Sequence, residues 1–149
     1  MALKPDRKYT DGTEISYFMN QTATRGIAVV HVSSGSGVAL DDSGNVVGTG
    51  AGNCAGILLN DVVNLDLTRQ HLNQHKDETQ IGGKVTVLSR GRVVTNSIGS
   101  GEVPIVGSGV GFNTGDGTLT VTLPAERTVG YWRSIVDSDG YAAVDVDIA

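Results

Sequence analysis

His71 and His75 stand four residues apart, a spacing that sets two imidazoles on one helix face. Asp66, Asp77 and Glu78 are close enough in sequence to complete a zinc ligand set. The segment around them is polar throughout and offers no apolar shell to shape a metal site, so it reads as a solvated loop. Gly50-Ala51-Gly52-Asn53-Cys54-Ala55 satisfies a loose phosphate-cradling pattern, but no helical period follows it, and a glycine-rich turn or bulge is expected instead. Asp137 and Asp139 open like a calcium loop, yet Tyr141 takes a ligand position and Ala142 replaces the required glycine. Ser36 and Ser108 lie in Gly-Ser-Gly triplets that lack the spacing of a nucleophile elbow, and His31 has no partner assignable from the sequence. Cys54 is the single cysteine; small and apolar neighbours make it a buried, inert thiol rather than a nucleophile. No metal, cofactor or catalytic residue is assigned, and the chain is not expected to be an enzyme.

The elements that must carry these residues are strands. Val, Thr and Ile supply 42 of 149 residues, whereas Ala and Glu together supply 14. Short apolar segments alternate with turn clusters at residues 41–45, 113–117 and 137–140, which marks three hairpins. Leu119, Val121 and Leu123 alternate with threonines; Val144, Val146 and Ile148 alternate with Asp145 and Asp147; Val63, Leu65 and Leu67 alternate with polar neighbours. The acidic outer face of residues 144–148 reads as a guarded sheet edge. Residues 68–80 turn polar and are expected to form a loop or a single helical turn. The fold class is therefore all-β: a single compact antiparallel β-barrel, β-tulip or jelly-roll-like sandwich, with an extended N-terminal arm and at most one short helical turn. Residues 1–20 form the arm or the first strand, and residues 21–149 the barrel or sandwich domain.

A net charge of −5 disfavours a nucleic-acid groove. The longest apolar runs, such as residues 27–30, fall far short of the ~20 residues of a membrane-spanning helix. Neither nucleic acid nor membrane is an expected partner, and synthesis in a cytoplasm is expected. The charge is uneven: Lys4, Arg7 and Lys8 face only Asp6 at one end, while residues 137–149 carry four aspartates and no base.

Residues 55–71 (Ala-Gly-Ile-Leu-Leu-Asn-Asp-Val-Val-Asn-Leu-Asp-Leu-Thr-Arg-Gln-His), 75–78 (His-Lys-Asp-Glu), 82–88 (Gly-Gly-Lys-Val-Thr-Val-Leu) and 91–96 (Gly-Arg-Val-Val-Thr-Asn) resemble small head proteins of tailed bacteriophages, the capsid decoration or cement proteins. That resemblance implies a structural virion protein without catalytic residues. Such a protein binds the outer face of an icosahedral capsid, clamps neighbouring major capsid protein subunits, and is usually a homotrimer or homodimer. It is made in the bacterial host cytoplasm and resides on the outer capsid surface. A weaker likeness links residues 55–61 and 111–115 to trimeric dUTP pyrophosphatases. Against it, no tyrosine follows Asp61, no Pro-Arg-Ser-Gly loop occurs, and three strands follow the would-be tail.

Candidate capsid or oligomer contacts are Lys4, Arg7, Lys8, Tyr9, Tyr17 and Phe18 on the arm, with Tyr131, Trp132 and Arg133 as a second group, because aromatics and arginine dominate binding hot spots. The arm could extend a neighbour's sheet by strand addition. The alternative function is a virion-surface glycan-binding or host-adhesion module, with Tyr131 and Trp132 beside Asp137 and Asp139 as its best local candidate.

Overall fold

A computed structural model describes residues 13–33, 46–63, 78–81, 83–121 and 128–148. The described chain contains no helix and twelve strands. In order these are β1 (Thr13–Met19), β2 (Ala28–Val32), β3 (Val46–Gly48), β4 (Cys54–Leu58), β5 (Asp61–Val63), β6 (Glu78–Gln80), β7 (Lys84–Leu88), β8 (Arg90–Thr95), β9 (Gly109–Phe112), β10 (Leu119–Thr120), β11 (Gly130–Trp132) and β12 (Ala142–Asp147). The fold is all-β.

Five strands close a barrel in the order β1-β3-β2-β4-β7, with β7 pairing back onto β1. An odd number of staves cannot alternate direction around a closed ring, so at least one neighbouring pair must run parallel. That pair is β1 with β3; the other four contacts are antiparallel. The second sheet, β10-β9-β11-β12-β8, is antiparallel throughout. Only Ser89 separates β7 from β8, so the chain steps from barrel to sheet across one residue.

Two hydrophobic clusters explain the apolar patterning. Met19, Val29, Val47, Leu58, Val85 and Val87 fill the barrel. Ala28, Val30, Ile57 and Leu88 point out of the barrel wall and pack against Phe112, Leu119, Trp132, Val144 and Val146 of the second sheet. Strands β2 and β4 are therefore buried on both faces, which is why residues 27–30 are continuously apolar instead of alternating. Strand β12 has one dry face and shows the alternation cleanly: Ala142, Val144 and Val146 are buried while Asp147 is exposed.

Turn chemistry fixes two of the three expected hairpins. In residues 113–117, Asn113 Oδ1 accepts the Gly115 N–H at 2.9 Å and Asp116 Oδ1 accepts the Thr118 N–H at 3.1 Å, joining β9 to β10. In residues 137–140, Asp137 Oδ1 accepts the N–H groups of Asp139 and Tyr141 at 2.9 and 3.0 Å, between β11 and β12. The turn at 41–45 lies outside the described residues, although the strands on either side of it, β2 and β3, pair antiparallel.

Several expectations are corrected. Val62 is the buried residue of β5, not Val63, and the rest of that alternation lies outside the described residues. Glu78–Gln80 is not loop: it forms β6, parallel to β5. Strand β12 is not an edge, since β11 and β8 flank it; its aspartates serve ion pairs across strands. Of the two alternatives held for residues 1–20, arm or first strand, Thr13–Met19 takes the second: it is the first strand and a stave of the barrel, while residues 1–12 lie outside the described residues.

Gly130 of β11 lies tight against β12; a Cβ there would collide with the Asp145 carbonyl oxygen and carbon. Gly130→Ala is expected to lower stability by about 1–3 kcal/mol, the usual cost of overpacking, seen as a lower denaturant midpoint at unchanged slope.

Candidate interaction surface

The outer face of the second sheet carries a cross-strand charge cluster. Arg92 on β8 lies opposite Asp145 on β12, which in turn lies opposite Tyr131 on β11. Residues directly opposite on neighbouring strands share a face, so these three side chains lie on the same side of the sheet. Arg92 Nε donates to Asp145 Oδ1 at 2.6 Å and Arg133 Nε donates to Asp145 Oδ2 at 2.6 Å, so one carboxylate holds two guanidinium groups. Arg90 reaches Asp147 at 3.5 Å. Together with Tyr131, 49% exposed, these groups line an open depression of about 510 Å³. Hydrogen bonds from Arg92, then those from Arg133, hold the Asp145 carboxyl below its ordinary value, and Asp145 in turn raises the Arg92 guanidinium.

A second feature lies at the end of the sheet where β9 begins and β11 ends. Val103, Ile105 and Val106 are 75, 66 and 57% exposed in the loop before β9, and Ile135, in the loop after β11, is 66% exposed. Gly107 N–H donates to the Trp132 carbonyl and Ala143 N–H to Ser134 Oγ, so both loops are tied to the same end of the sheet. The result is an apolar crown on a rigid support. The sequence signal for it was Val103-Pro104-Ile105-Val106: an apolar run that its proline keeps out of a central strand, and therefore a candidate for exposed loop.

Sequence-derived contact residues fall into three groups. Lys4, Arg7, Lys8 and Tyr9 lie outside the described residues, as do His71 and His75. Tyr17 and Phe18 are half-buried in the barrel wall: the Tyr17 ring meets His31 edge-on at 5.4 Å, and Lys84 Nζ lies 5.9 Å from the Phe18 ring centre. Of the third group, Tyr131 and Arg133 share the outer face, but the assignment of Trp132 as a contact is corrected. Its side chain is fully buried in the core between barrel and sheet, because strand alternation sends it to the face opposite Tyr131. Arg90 and Arg92 were missed; their signal was the Arg-Gly-Arg alternation that matches Asp145 and Asp147.

Among the described residues no three His, Cys, Asp or Glu side chains gather as a metal site. The Asp137 carboxylate is committed to its own turn. Burial raises the Cys54 thiol to about 11, partly offset by a backbone hydrogen bond with Gly56. No protein-family model and no curated protein matches this chain.

Two outcomes follow from these environments. Cys54 is expected to resist alkylation at mildly alkaline pH in the folded protein and to react at once in denaturant, read by thiol titration. Asp145→Asn is expected to destabilise the protein at neutral pH. Since the folded carboxyl titrates below its unfolded value of 3.8, its contribution is complete above that value and is lost as pH falls through the lowered one. Urea midpoints of wild type and variant should therefore converge in acid.

Proposed function

We propose that this chain is a structural virion protein that binds the outer surface of an icosahedral phage capsid and stabilises contacts between major capsid protein subunits. The observation that carries the reading is the apolar crown of Val103, Ile105, Val106 and Ile135, held by hydrogen bonds to the end of a doubly packed β body. Exposed β-branched side chains lose little rotamer freedom on docking, and their burial supplies affinity without any chemistry. The sequence resemblance of residues 55–71, 75–78, 82–88 and 91–96 to capsid decoration proteins adds the nature of the partner. Copies repeated over a closed lattice bind through effective concentration, so each contact can be weak. Self-assembly as a trimer, or a dimer, would present several crowns at once. A net charge of −5 keeps such particles from adhering to one another.

A second reading, a glycan-binding or host-adhesion module, draws on Tyr131: an exposed ring beside Asp145, Arg92 and Arg133 offers a stacking face with polar partners at its rim.

Purified protein mixed with shells that lack it is expected to co-sediment with them and raise the temperature at which they open. Ile105→Asp with Ile135→Asp should abolish both effects while the far-ultraviolet spectrum and melting temperature stay nearly unchanged, because both side chains are exposed. Shells left undecorated by the wild-type protein overturn the capsid reading, and glycan binding lost in Tyr131→Ala would install the second.

A further inference from the structure

Strand β8 is the outer strand of its sheet, and among the described residues it pairs with β12 alone. The ladder tells which of its backbone groups are used. Arg133 N–H donates to the Ala143 carbonyl and Asp147 N–H to the Val129 carbonyl, so Ala143, Asp145 and Asp147 turn their backbone toward β11. Ala142, Val144 and Val146 therefore bond β8 through Thr95, Val93 and Gly91, and the bond from Ile148 N–H to the Ser89 carbonyl continues that register. The N–H and C=O groups of Arg90, Arg92 and Val94 point the other way, out of the sheet. Arg90 and Arg92 have side chains 74 and 63% exposed, and Val94 is 60% exposed. Beside Val94 the edge opens onto a groove of about 390 Å³, whose lining includes Val94, Tyr141, Arg25, Leu59 and Asp61.

We infer that the β8 edge is a strand-acceptor site for an extended acidic segment of a partner protein, which adds to the sheet alongside residues 90–94. Main-chain bonds to three outward residues supply the affinity, and side chains at alternate positions supply the selectivity. Charge chooses the occupant. The outer face carries Arg90 and Arg92 on the edge strand itself and Arg133 beyond β12, against Asp145 and Asp147, with Asp145 already shared by two arginines, so positive charge is in excess on a chain that is acidic overall. Carboxylates on an added strand complete that pattern. The same arginines disfavour a second copy of this chain: two-fold pairing that uses all three outward positions sets Arg92 directly against Arg92, a like-charge pair. The groove beside Val94 receives an apolar residue at the end of the segment. This site is separate from the apolar crown and stands whether or not the protein decorates capsids.

The probe is a capped peptide with the alternating sequence of residues 142–148, Ala-Ala-Val-Asp-Val-Asp-Ile, titrated into the full chain and followed by calorimetry. Saturable binding is expected below about 1 mM, weakened by added salt and lost when the peptide's two aspartates become lysines. A peptide with prolines in place of its second alanine and first valine keeps the charge but cannot complete the ladder, and it should not bind. Val94→Pro removes an outward N–H that β12 does not use, so the fold should persist while binding falls by at least about tenfold. Arg90→Glu should weaken binding by about fivefold, and together with the proline peptide it carries the test should Val94→Pro not fold. Failure of the parent peptide to saturate, equal binding of the proline peptide, or unchanged binding by folded Val94→Pro overturns the proposal. So does a dimer of the free chain that Val94→Pro dissociates, since the occupant would then be a second copy.

Discussion

Everything in this structure depends on one wall being dry on both sides. Strands β2, β4 and β7 send Val29, Leu58, Val85 and Val87 into the barrel and Ala28, Val30, Ile57 and Leu88 toward the second sheet. A chain of this size could bury little area in a lone five-stranded barrel; sharing a wall lets the same strands serve two cores. The arrangement also dictates where glycine is needed. Gly56, in left-handed backbone at φ 143°, lies against the Leu88 carbonyl at the point where β4 meets β7, and any side chain there would push the staves apart.

Because water is excluded from both faces of that wall, polar function is displaced to the far side of the second sheet and to its end. The outer face answers this with charge pairing across strands, not with a lone guard of aspartates. Asp145 between Arg92 and Arg133 draws together β8, β11 and β12, while the apolar residues left exposed collect in the loops at one end. A surface that is polar on its face and apolar at its tip suits a protein that docks end-on into an assembly and keeps its flank wet. The rim of β8 that no other described strand covers has a different character, being backbone and guanidinium, and so suits a different partner.

How much of this was readable beforehand varies with the range of the interaction. The turns at 113–117 and 137–140 are built by side chains bonding backbone within four residues, and local sequence announces them. The alternation of residues 142–148 reports one dry face, and it does. It could not report that β12 lies between two strands, because an aspartate facing water at an edge and one facing an arginine of a neighbouring strand look identical in the sequence. Arg92 and Asp145 are 53 residues apart, and nothing local couples them. Trp132 had the residue type of a contact; strand parity decided its burial by one position relative to Tyr131.

An abundance of β-branched residues, short apolar runs and turn-forming clusters was enough to establish an all-β chain and two of its reversals, since each is a property of neighbours along the backbone. The closure of β1 onto β7, the parallel pair that an odd ring requires, the burial of Val62 in place of Val63, and the exposure of residues 103–106 all emerged from strand order. Strand order is set by which distant faces can be dried against one another, a condition on the whole chain that no window of residues contains.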